Sequence, residues 1–332
     1  MRIAFVADTS TPNGWYRGIG PMQALIRRGH EVRQVMTVDG GFHADRVDGC
    51  ELLHVHRMHD ARTLALIDFA KRQRIPVVWD NDDDLASVPR NNAAYKEFGG
   101  LRGQRANAAI RRVVQLADLV TTPSRRLAEI YRGYGAARAE VIENYVRDES
   151  RERASRRRGE RLTVGWLAGR EHHVDVERMD IADTLEQLLG EHERLEVVSI
   201  GVGLGIRSPR YRHVPRVRFD ELDDELARLD VGIAPIADIP LNQARSNVKL
   251  KEYAVLGTPW LASPVGAYVG MGEEQGGRLV ADGDWHAALT TLLTRDRDRR
   301  KLAKKALKWG QRQTVTANVR EWEERFERLR GG

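Results

Sequence analysis

The stretch ARSNVKLKEYAVLGTP (244–259) places a small polar run, two lysines and a glutamate on what reads as one helix, closed by Gly257 and Pro259. Ser246 is a good N-cap, so the backbone N–H groups of Asn247, Val248 and Lys249 would face one way, and Lys249 adds a full positive charge. Such a helix start suits a diphosphate. Glu252, three residues after Lys249, can accept two hydrogen bonds from the vicinal hydroxyls of a ribose. The alternative is an i, i+3 ion pair on a solvated face, which fits poorly with the apolar KEYAVLGTPWLAS around it.

Other polar clusters also follow apolar runs. In PVVWDNDDDLASVP (76–89), the acids Asp80, Asp82, Asp83 and Asp84 come directly after a buried-looking strand. They can bind a divalent ion, cap the next turn, or orient a hydroxyl as base; the last is favoured, with Asp82 as the candidate. In LLHVHRMHD (52–60), His54 reads as a satisfied core histidine, His56 at the strand end as a polar contact to substrate, and His59 as surface. After the first strand, Gly14, Gly18 and Gly20 loosen a loop that offers Trp15, Tyr16 and Arg17 to a ligand, and Pro21 suits a first helical turn. Gly18 and Gly20 are candidate donor contacts, although the spacing is not the Gly-x-Gly-x-x-Gly of a dinucleotide fingerprint. In GWLAGREHHVD (165–175), Arg170 is a candidate phosphate contact, while adjacent His172 and His173 cannot share one ion. No metal site is assigned.

The elements that must position these groups follow from hydrophobic patterning. Short apolar runs alternate with amphipathic stretches, the pattern of β-α-β units and parallel sheets. Strands are predicted near 2–7, 31–37, 51–55, 76–79, 118–121 and 139–142, with helices near 21–29, 60–73, 93–116 and 124–134. The pattern then restarts, with strands near 162–169, 195–201, 214–219, 231–236, 260–264 and 277–280 and helices near 180–190, 220–229, 246–256 and 284–294. The organisation is a Rossmann-like domain over 1–147, a charged linker over 148–160 and a second Rossmann-like domain over 161–310. An amphipathic helix over 311–332 should pack back on the first domain through Val319, Trp322, Phe326 and Leu329. Two such sheets share a cleft at their carboxyl ends.

At 332 residues and 41% hydrophobic, the chain can fill two cores. One cysteine, Cys50, excludes an internal disulfide and a multi-cysteine metal site. No run approaches the roughly 18 apolar residues of a membrane span, and no signal peptide is recognised, so a soluble cytoplasmic protein is expected. The net charge of +6 is concentrated: Arg102 to Arg138 holds eight arginines against Asp118 and Glu129. This is either a solvated face or a surface for an anionic acceptor such as DNA.

Four segments, 117–146, 162–169, 229–236 and 249–268, together resemble the retaining nucleotide-sugar glycosyltransferases of the GT-B fold, in the branch called glycosyl transferases group 1. The likeness spans nearly the whole chain. It implies an acceptor domain followed by a donor domain, no required cofactor or metal, and a nucleoside-diphosphate sugar, a UDP- or GDP-sugar, as donor. The acceptor hydroxyl can belong to a small molecule, glycan, protein or nucleic acid, including a modified base in DNA. Glu252 matches the ribose-binding second glutamate of the group's Glu-x7-Glu pattern, whereas the first glutamate's position is Ala244. Ser246, Asn247 or Lys249 is expected to cover part of that role, and Arg170 falls near a phosphate-contacting basic residue. On this reading Asp82, His56 and Lys249 are the catalytic candidates, and Arg170, Ser246, Asn247, Lys249, Glu252, Gly18 and Gly20 bind the donor. Two rivals stay open: a non-catalytic nucleotide-sugar-binding module, suggested by Ala244, and a sugar-nucleotide epimerase of the same architecture.

Overall fold

The computed structural model describes residues 1–7, 12–36, 41–92, 94–152 and 161–331. Strands β1 (Arg2–Val6), β2 (Glu31–Gln34), β3 (Leu52–His56), β4 (Val77–Asp80), β5 (Leu119–Thr122) and β6 (Ala139–Val141) form one parallel sheet in the order β2-β1-β3-β4-β5-β6. Strands β7 (Leu162–Ala168), β8 (Leu195–Gly201), β9 (Tyr211–Val214), β10 (Val231–Ala234), β11 (Trp260–Ala262) and β12 (Gly277–Leu279) form a second in the order β12-β11-β10-β7-β8-β9. β3, β4 and β10 are buried at every residue, as expected of parallel strands covered on both faces.

The main helices are α1 (Gly20–Arg27), α2 (Ala61–Arg72), α3 (Gly100–Leu116), α4 (Arg125–Gly133), α5 (Ile181–Glu191), α6 (Val248–Val255), α7 (Trp285–Thr294), α8 (Asp296–Gly310) and α9 (Arg320–Arg330). Local chemistry sets their starts and stops. Asp60 caps α2 by accepting from the Thr63 N–H at 2.9 Å, and Ser124 caps α4 by accepting from Leu127 at 3.2 Å. Past the end of α6, Gly257 takes φ +71°, a left-handed conformation that releases the chain into β11.

Three expectations change. The edge strand β9 lies at Tyr211–Val214 rather than near 214–219, because Val197 to Ile200 pair with Tyr211 to Val214 and leave Val217 and Phe219 for the cleft. The helix placed over 93–116 is a short turn, Tyr95–Phe98, followed by α3; residue 93 is outside the described part. Of the charged run 148–160, residues 149–151 form a short 3-10 turn, and 153–160 lie outside the described residues.

Helix α9 is far from β1 in sequence but not in space. Trp322 and Phe326 share one buried cluster with Ile3, Phe5 and Leu25 of the first sheet's layers. The chain therefore crosses twice between the sheets, and the crossings are tied together: Val146 N–H donates to Gln313 O and Val315 N–H to Val146 O, each at 3.0 Å.

Candidate functional site

In each sheet the chain reverses its direction of winding between two neighbouring strands, β1 and β3 in the first and β7 and β10 in the second. Loops leaving such strands at their carboxyl ends diverge and leave a crevice. The cleft here, about 570 Å³, is lined by segments following strands of both sheets: Tyr16 after β1, Arg57 after β3, Asp82 and Asp83 after β4, Gly169 after β7, and Arg245, Ser246, Lys249 and Glu252 after β10.

The β10 side brings an uncapped helix start together with Lys249 and Arg245. Helix α6 starts at Val248, with Asn247 rather than Ser246 in the cap position and no side-chain cap. Asn247 instead donates to Glu143 Oε2 at 3.3 Å, and Ser246 Oγ accepts from Asn144 Nδ2 at 3.2 Å. With no cap, the first-turn N–H groups keep their partial positive charge beside Lys249 and Arg245. Lys249 Nζ donates to Leu167 O, and burial lowers its pKa. Glu252 is 9% exposed; burial pushes its carboxyl up, while Lys249 and a hydrogen bond from Tyr16 oppose this. The Tyr16 hydroxyl donates to Glu252 Oε1 across the cleft, and its ring meets Phe219 edge-on at 5.5 Å.

On the opposite side stand the acids. Asp82 is 6% exposed; burial alone would raise its carboxyl, but Arg57, 3.5 Å away, and then His56 outweigh burial and hold it below the usual carboxylate range. Asp83, beside the Asp82 charge, is pushed up, chiefly by burial. The two adjacent acids are thus shifted in opposite directions, Asp82 down and Asp83 up. Asp82 Oδ1 has no hydrogen-bond partner among the described residues. His56 is wholly buried with Nε2 3.9 Å from that oxygen, so it supports Asp82 and does not line the cleft. No group of three or more His, Cys, Asp or Glu able to hold a metal ion occurs among the described residues.

Several expected contacts are not where the sequence suggested. Gly18 and Gly20 are buried within the first domain: a Cβ on Gly18 would sit 2.8 Å from the Phe5 ring, and one on Gly20 would sit 3.1 Å from Trp15. They permit close packing of a π-helical turn, Trp15–Ile19, and are not ligand contacts. Arg17 is fully buried, gripping Asp80 with Nε–Oδ1 at 2.9 Å and Nη2–Oδ2 at 2.5 Å, so neither is free for a ligand. His54 is in the core but unsatisfied, both ring nitrogens lacking partners among the described residues. The Arg170 side chain lies outside the described residues. Ala244 is fully buried, and its carbonyl accepts from Ser124 Oγ at 2.5 Å.

Sequence reasoning missed Tyr16 as the partner of Glu252, and also Arg57, Phe219, His172 and Arg245. The one available signal was the Arg at 245, next to the substituted glutamate position.

No protein-family model and no curated protein sequence matches the chain. Solved structures do. The Anabaena protein HepE in complex with UDP-glucose is 15% identical over 99% of this chain and 100% of that one, with a TM-score of 0.69. Sucrose-phosphate synthase from Thermosynechococcus elongatus is 14% identical, with 99% of each chain covered and a TM-score of 0.67. An alpha-glucosyltransferase in complex with UDP-glucose and DNA containing an abasic site is 13% identical over 98% and 99%, with a TM-score of 0.66. The two facing parallel sheets are the GT-B fold.

Proposed function

We propose that this GT-B chain is a glycosyltransferase moving a sugar from a nucleoside-diphosphate sugar to a hydroxyl acceptor, with retention of configuration and without a metal. One observation carries the reading: a buried carboxylate, Glu252, and a cation, Lys249, stand one turn apart at the uncapped start of α6, inside the cleft between the sheets. Glu252 accepts the ribose hydroxyls; one of its oxygens is held by Tyr16, so ribose takes the other or displaces that hydroxyl. Lys249 and the helix start stabilise charge developing on the leaving diphosphate as the bond from the anomeric carbon to its oxygen breaks. Asp82, which lines the cleft as a carboxylate held by Arg57 and His56, orients the acceptor hydroxyl that forms the new bond.

The donor nucleotide is a UDP or GDP derivative on this reading, consistent with the UDP-glucose in the HepE structure. A base in DNA as acceptor is supported by the DNA in the alpha-glucosyltransferase structure and by α3, whose seventeen residues include four arginines and no acid. Ala244 favours one second reading, a donor-binding module without turnover.

A thermal-shift screen of UDP, GDP, ADP, TDP and CDP tests the donor site. A nucleotide at about 100 times its Kd adds roughly 2.7 kcal/mol of stability. One nucleotide should raise the Tm of the wild type, and both Lys249→Ala and Glu252→Ala should abolish the shift. No shift with any nucleotide defeats the proposal; a shift with neither sugar transfer nor donor hydrolysis favours the binding module.

A further inference from the structure

Arg245 directly follows Ala244 and lines the cleft. Its Nη1 lies 2.8 Å from His172 Nε2, and His172 Nδ1 lies 2.6 Å from Asp175 Oδ2. Arginine can only donate, so His172 Nε2 is the acceptor and the ring carries its single proton on Nδ1, donating to Asp175. The histidine is therefore neutral, and burial, followed by Arg245 and Lys249, holds its pKa at about 4.

Asp175 is itself fixed. It is fully buried, and its Oδ1 accepts from the Ala237 N–H at 2.9 Å and from Asn242 Nδ2 at 2.7 Å. Backbone at the end of β10 thus holds a carboxylate, the carboxylate sets the imidazole tautomer, and the imidazole aims a guanidinium. Because the last partner is neutral, the guanidinium is aimed without a hydrogen-bonded counter-ion; the nearest other carboxylate, Glu171 Oε1, is 3.9 Å away. Arg245 Nε is also buried with no hydrogen-bond partner among the described residues. A cation held by a neutral acceptor, with an unused N–H, beside the start of α6, is a preorganised seat for an anion with several oxygens.

We propose that Arg245 is a diphosphate-binding residue of the donor site, and that His172, backed by Asp175, is the positioning residue that aims it. This rests on the nucleotide-sugar reading above, and it gives the segment of the missing glutamate a different role, since it contributes a cation to the leaving group where the Glu-x7-Glu pattern would place a carboxylate.

Calorimetric titration with UDP, GDP, ADP and inorganic pyrophosphate tests it on the full chain. Arg245→Ala should weaken binding of the preferred diphosphate by about 10- to 100-fold, and Arg245→Lys, which keeps charge but not the planar fork, by about tenfold. His172→Gln puts an amide oxygen near the Nε2 position and keeps a partner for Arg245; its affinity should stay within about threefold of wild type. His172→Asn reaches only the Nδ1 position, keeps Asp175 and abandons Arg245, and should resemble Arg245→Ala. A purely structural histidine would give the opposite order, with Asn at least as good as Gln. Unchanged affinity in Arg245→Ala, or indistinguishable Gln and Asn variants, overturns the proposal while leaving the nucleotide reading intact. Pyrophosphate binding that depends on Arg245 without any nucleotide binding would support the anion seat and defeat the nucleotide reading; no binding of either probe by the wild type defeats both.

Discussion

Lys249 and Glu252 could be found in the sequence because their relation is local: three residues apart on one helix, their placement follows from helical geometry alone. The partners that shape them could not. Arg17 and Asp80 are 63 residues apart and become a buried ion pair only when the loop after β1 packs over the end of β4. Gly18 looked like a ligand-binding glycine, but it answers to the Phe5 ring, a contact no spacing rule reveals. The same holds for His54, whose alternation with apolar neighbours marked it as buried without showing that Phe5, Trp322 and Phe326 would leave its nitrogens unpaired.

His54 and His172 are both held at about 4, below the ordinary 6.5, chiefly by burial. The unfolded chain therefore binds protons that the folded chain refuses. The stability tied to each is complete above about pH 6.5 and drains as pH falls toward 4, a change on the order of 3 kcal/mol per group. Urea midpoints should consequently fall between pH 7 and pH 4.5. His54→Leu removes one of the two terms and two unpaired polar atoms, so its midpoint at pH 7 should match or exceed wild type and decline less on acidification. Parallel declines in the two proteins would refute this.

At the level of strands and helices, the sequence pattern located eleven of the twelve strands among the described residues closely, since buried parallel strands are nearly continuous apolar runs. It failed at β9, where the R-V-R-F alternation of 216–219 mimicked a half-buried strand although Arg216, Val217 and Phe219 line the cleft. It also fell short where backbone conformation rather than polarity ends an element, as in the break before α3, after Gly99. Gly257 is the instructive boundary. An added Cβ would have only Leu307 Cβ at 3.4 Å as its nearest neighbour, so a substitution there tests conformation with little steric clash. Gly257→Ala should cost about 1 kcal/mol from its φ of +71°, read as a lowered urea midpoint, with diphosphate affinity of the folded protein unchanged. A loss of affinity in the folded variant would mean that the end of α6 communicates with its start.

Taken as an assembly of two sheets, the molecule has an acid-free arginine face beside the first, where Arg102, Arg105 and Arg112 of α3 are exposed and Arg111 stacks over Tyr134 at 3.8 Å. If DNA is the acceptor, binding of a short duplex should weaken steeply with salt, with log affinity falling by about 0.9 per neutralised phosphate against log salt. Arg105→Ala with Arg112→Ala should then reduce that slope by about two. A flat salt response, or a slope indifferent to both changes, points to a small-molecule or glycan acceptor.

The packing of α9 against β1 also has a consequence for biosynthesis. Ile3, Phe5 and Leu25 are translated about 300 residues before the indole and phenyl rings that cover them, those of Trp322 and Phe326. The first sheet is made well before the helix that closes its core, so a nascent chain must hold an open apolar face until α9 has been made. A message truncated between codons 311 and 319 should yield a product that is cleared by proteases even though both sheets are whole.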